Sequence, residues 1–95
     1  MTEAQILANS KAIESETVSF NNTNPTEADY QALCKGVALK TTANVYIAFD
    51  RPANTNDFLL IATDGVVELD HDWKFTKISA LGASGSGTLY TLVRR

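Results

Sequence analysis

Residues 44–50 constrain the fold more than any other stretch of the chain. Val45, Ile47 and Phe49 fall on one side of an extended backbone, and Tyr46, Ala48 and Asp50 on the other. Period two with one apolar side is the pattern of a half-buried β-strand. A chain holding one such strand must supply others to pair with it and an apolar surface to cover its inner face.

Other segments meet that demand. Thr occurs eleven times, Val six and Ile five, and these β-branched residues favour the pleated conformation. Further strands are expected over residues 16–21, 33–40, 57–62, 66–70, 75–81 and 88–94. Val37, Leu39, Val45, Ile47, Phe49, Leu69, Ile78 and Leu89 are the expected core, because each alternates with a polar or small neighbour. Turn residues recur every eight to twelve positions, as in sandwiches and barrels. Thr41-Thr42-Ala43 reads as a short hairpin, Asp64-Gly65 as a tight one and residues 82–87 as a flexible Gly/Ser hairpin tip. Residues 51–56 read as a loop, since Pro52 cannot donate to a ladder. The expected fold is all-β: a single antiparallel β-sandwich or jelly-roll-like barrel of seven or eight strands, with one or two short helical segments. One helical segment is residues 25–33, opening at the capping residue Thr26. The other is residues 1–15, where Thr2-Glu3-Ala4-Gln5 resembles a capping box; an extended arm that orders against a partner fits this segment equally. The chain thus divides into an arm, 1–15, and a sandwich domain, 16–95.

Length and charge set the remaining bounds. Ninety-five residues make one domain, and size scaling gives a folded surface of about 5,300 Å² against about 15,000 Å² unfolded. No apolar run reaches the length of a membrane span, and no signal peptide is visible. A single cysteine, Cys34, excludes an internal disulfide, consistent with folding in a reducing cytoplasm. The net charge is −3, without the basic patch that phosphate-backbone binding requires, so neither nucleic acid nor membrane is an expected partner. Charge is uneven along the chain. Residues 1–72 carry −7 (eleven acids against Lys11, Lys35, Lys40 and Arg51), while residues 73–95 carry +4. Either the charges are solvated, or the basic end faces an acidic protein surface.

No catalytic, cofactor-binding or metal-binding residues are expected. The only histidine, His71, stands between Asp70 and Asp72, but adjacent side chains of an extended segment diverge. Zinc needs ligands drawn mostly from Cys and His, of which there is one each. Cys34 beside Lys35 reads as a small buried hydrophobe rather than a nucleophile. Gly82, Gly85 and Gly87 precede a strand rather than the helix a phosphate loop needs. Asn21-Asn22-Thr23 matches a glycosylation sequon, which carries no weight without a secretory context. Trp73 and Phe75 would share a strand face, as core residues or as a sugar-stacking platform.

The order of segments resembles a known class. The strand pair at residues 36–40 and 44–49 is followed by Asp57-Phe58-Leu59-Leu60, then Val67-Glu68-Leu69-Asp70. Residues 77–82, the Gly-rich tip and residues 87–93 close the series. This succession resembles the small β-sandwich virion proteins of tailed bacteriophages, which serve as capsid decoration, cement, head-fibre or connector parts. The resemblance covers about residues 33–95. It implies a virion protein folded in the host cytoplasm that binds the major capsid protein or other virion subunits, alone or as a homo-oligomer, and stabilises the head lattice. The alternative is a β-sandwich module binding carbohydrate or a host surface through Tyr46, Trp73 and Tyr90. Partner contacts are expected from Ile6, Leu7 and Ile13 of the arm and from Arg94 and Arg95 at the basic end.

Overall fold

A computed structural model describes residues 13–94. Six strands follow one another: β1 (Ile13–Phe20), β2 (Thr26–Thr41), β3 (Val45–Phe49), β4 (Phe58–Leu60), β5 (Val67–Gly82) and β6 (Gly87–Arg94). All pairing is antiparallel, in the spatial order β1-β6-β2-β5-β3-β4. The all-β expectation stands.

The sheet becomes a sandwich because β2 and β5 are long and bend together. Their register holds over residues 26–29 against 77–80, shifts on either side of the Cys34–Phe75 pair, and resumes over 36–39 against 67–70. Each therefore supplies one strand segment to each of two layers, giving eight segments from six strands. Strands that switch sheets at a bulge are the ordinary way to make such a corner. Layer A runs β4, β3, residues 77–82 of β5 and residues 26–29 of β2. Layer B runs β1, β6, residues 36–41 of β2 and residues 67–70 of β5.

Both layers feed a single core. Val18, Leu39 and Leu89 come from layer B and Val45, Ile47, Leu60 and Ile78 from layer A, all buried in one cluster with Phe75 at the corner. Phe75 stacks edge-on against Phe49 (4.9 Å between centroids) and Tyr30 (6.3 Å). The Tyr30 hydroxyl meets the Thr91 hydroxyl across the interior, and Thr91 donates to the Glu16 carbonyl at 3.1 Å. Cys34 is fully buried, as expected of a small hydrophobe. Six of the eight expected core residues are buried. Phe49 and Leu69 are half-buried at the open mouth of the sandwich, packed on the cluster.

Two expectations are corrected. Residues 25–33 are not helical: strand β2 starts at Thr26, with Ala28 and Tyr30 buried and Glu27 and Asp29 exposed. Inner-face burial with period two outweighs the helix propensity of Glu, Ala and Gln. Among the described residues the helical structure is the 3-10 turn Ala62–Asp64. Residues 41–43, 64–65 and 82–87 do turn the chain, but not into hairpins. The strands they join lie in opposite layers and do not pair, so each is an arch. The hairpin is β3–β4, joined by the loop read from Pro52.

Candidate interaction surface

The two outer faces differ in what covers them. On layer A, residues 50–57 fold back over the sheet. The Ala53 N–H donates to Ser79 Oγ (2.9 Å), and Ala48, Ala53 and Ser79 are buried although two of them sit on the outer side. Arg51 closes the loop on both carboxylate oxygens of Asp57, whose Oδ2 also accepts the Asn54 N–H at 2.7 Å. The Arg51 hydrogen bond holds the Asp57 carboxyl below its usual range, and the same bond raises the Arg51 guanidinium. At the strand end Asp50 takes a left-handed φ of 60° and its Oδ1 accepts from Thr76 N, Thr76 Oγ1 and Lys77 N at 2.8–3.0 Å. Short polar side chains tolerate that conformation. Partial burial pushes the Asp50 carboxyl up, but these bonds and the Lys77 charge outweigh it and hold it low.

Layer B carries no such cover among the described residues. Strand alternation places Gly36, Ala38 and Lys40 of β2 on its outer face, between Tyr90, Leu92 and Arg94 of β6 and Glu68 of β5, with Val66 just ahead of β5. Register sets them in rows: Arg94 beside Gly36, Ala38 between Leu92 and Glu68, Tyr90 beside Lys40. Because Gly36 and Ala38 are small, two adjoining hollows of about 220 and 170 Å³ form over β2, sharing Ala38 and Leu92. Tyr90 is 46% exposed and Val66 61%. The result is a shallow apolar groove with a cation at either end, suited to holding protein surface.

A second hollow, about 350 Å³, opens at the mouth of the sandwich between Ile47, Phe49, Phe58 and Leu69, with Arg51 and Asp57 at its rim. Phe58 lies there on the inner side of β4 and is 55% exposed.

Of the expected contact residues, two come together. Ile13 opens β1 opposite Arg94, the exposed last described residue of β6, at one corner of layer B. The strand thus begins inside the segment expected as an arm. Ile6, Leu7 and Arg95 lie outside the described residues, as do a helix at residues 1–12 and the side chains of His71 and Trp73. Tyr46 and Tyr90, named with Trp73 for a carbohydrate- or host-surface-binding module, stand on the outer faces of different layers and do not converge, and Phe75 of the expected sugar-stacking pair is a core residue. Among the described residues no group of three His, Cys, Asp or Glu side chains is placed to hold a metal. The groove itself escaped sequence reading: its signal was the run of small outward residues Gly36 and Ala38 within a strand, which becomes a hollow only once both flanking strands are known.

No family model, curated protein or solved structure matches the chain.

Proposed function

We propose that the chain is a virion structural protein of tailed-phage type, most simply a decoration or cement subunit that packs on the major capsid protein and stabilises the head lattice. The observation that carries this reading is the uneven covering of the sandwich: the loop of layer A buries Ala48 and Ser79 on its outer face, while layer B presents, among the described residues, an uncovered apolar groove with exposed Tyr90 and Val66. The order of strand segments along the chain supports it as well. A small all-β subunit without disulfides stabilises a shell by repetition, because many copies of a modest contact act together. Its acidic net charge fits contact with protein rather than with packaged nucleic acid.

The test is to mix the purified chain with head shells assembled from a major capsid protein of the same genome, and to image the particles by electron microscopy. Ordered extra density at symmetry-related lattice positions, and shells that withstand a higher temperature, are expected. Bare shells with unchanged thermal stability at saturating protein would overturn the proposal.

A further inference from the structure

The groove on layer B is self-complementary, and we propose that it seats a second copy of this chain, layer B against layer B, about a two-fold axis parallel to the strands and midway between β6 and β2. The inference rests on reading that face as the interaction surface.

Such an axis lays β6 of each copy over β2 of the other while keeping the rows aligned. Leu92 then faces the partner copy's alanine at 38, the large side chain entering the hollow that the small one leaves. Tyr90 faces a lysine from position 40, a cation over an aromatic ring. Arg94 faces glycine 36, which brings no side chain of its own to oppose it. Every large group on β6 meets a small or flexible one on β2, and each contact occurs twice, as an isologous interface requires. The other in-plane two-fold, perpendicular to the strands, sets Leu92 on Leu92, leaves Ala38 over Ala38 as a void, and opposes Glu68 with Glu68. Size and charge both select the first axis.

Area sets the strength. Four strand segments about 4.8 Å apart, of four to eight residues each at about 3.4 Å per residue, present a face of about 420 Å². Two such faces bury about 850 Å², below the standard size for stable complexes, so the dimer is a weak one, expected at roughly 10 μM to 1 mM. Stacked sheets with aligned strands pack about 10 Å apart, which suits side chains of this size.

Sedimentation equilibrium of the full chain tests the proposal. A monomer–dimer transition is expected within that range. Ala38→Glu, which fills the hollow with charge, and Lys40→Glu, an exposed site that cannot disturb the core, should each weaken dimerisation more than tenfold with unchanged circular-dichroism melting. For the axis, an equimolar mixture of Leu92→Cys and Ala38→Cys proteins is treated with a short bis-maleimide; the mixed dimer should outnumber either self-linked one. A chain that stays monomeric to millimolar concentration, dimers indifferent to both substitutions, or predominant self-linking at Leu92→Cys would overturn the inference. If the chain is monomeric yet Ala38→Glu abolishes binding to head shells, the second copy falls and the virion reading stands.

Discussion

At the scale of single residues, the positions that matter most are those where backbone runs close to backbone. Residues 82–87 look like a flexible tip in sequence, yet Gly82 is pinned. Its N–H donates to the Asn21 carbonyl at 2.7 Å, and an added Cβ would lie 2.0 Å from the Gly85 carbonyl oxygen. An added Cβ at Gly85 meets nothing within 4 Å. Gly82→Ala should therefore cost more than about 2 kcal/mol, because the obstacle is main chain that cannot swing aside, while Gly85→Ala should stay within about 0.5 kcal/mol. Urea midpoints of the two variants check this; equal midpoints would refute it. Asp50 is the second such position, a left-handed residue whose carboxylate takes three hydrogen bonds from Thr76 and Lys77. Asp50→Ala should cost about 1–2 kcal/mol, given the exposure of the site, and Asp50→Asn less, since its amide oxygen still accepts. The sign with pH follows from the lowered folded-state pKa. The unfolded chain binds this proton more readily, so the contribution is complete above the unfolded value near 3.9 and is lost as pH falls through the folded one. Stability measured between pH 5 and 2 should fall less steeply in Asp50→Asn than in the unaltered chain.

At the scale of elements, the strands were legible and their connections were not. Residues 44–50 alternate so regularly that β3 could be placed from sequence, and Val37, Leu39, Val45, Ile47, Ile78 and Leu89 are buried as the period requires. Thr26 to Leu33 misled because local propensity pointed to a helix while the inner face of layer A needed Ala28 and Tyr30. Turn residues mark where a chain reverses; whether the next strand pairs beside the last or crosses to the other layer depends on long-range contacts that no local signal carries. Tyr30 makes the crossing testable. Its ring packs edge-on against Phe75 at the corner and its hydroxyl meets Thr91 in the opposite layer. Tyr30→Phe should cost about 1 kcal/mol, because Thr91 still donates to the Glu16 carbonyl. Tyr30→Ala should cost about 3–5 kcal/mol, since it also empties the space between the layers. Similar losses for both, read from denaturant unfolding, would mean that the hydroxyl pair and not the ring joins the layers.

At the scale of the whole molecule, folding redistributes the charge that sequence sorts into an acidic front and a basic end. The basic end supplies interior strands to both layers: the second half of β5 lies between β2 and β3, and β6 lies between β1 and β2. Asp29 stands opposite Lys77 in register, and Glu16 lies on the β1 edge. An inward-side charge on an outer strand discourages uncontrolled strand addition there. The same topology says how much of the front of the chain the fold requires. β1 begins at Ile13, and its inner face carries Val18 and Phe20, each 3% exposed, against Leu89 and the rest of the core. Removing residues 1–12 takes away no buried residue of the described fold, so the shortened chain should keep its β-rich spectrum and melt within a few degrees of the full one. Removing residues 1–20 takes away a strand of the layer and two core side chains together, at about 2–5 kcal/mol for each buried side chain. That is most of the 5–15 kcal/mol by which a domain of this kind is stable, and the product should not fold. If residues 1–12, with Ile6 and Leu7, contact virion subunits, the shorter deletion should bind head shells more weakly while dimerising through layer B as before. Full binding to shells after that deletion would remove the N-terminal segment from the contact and leave the groove to carry it.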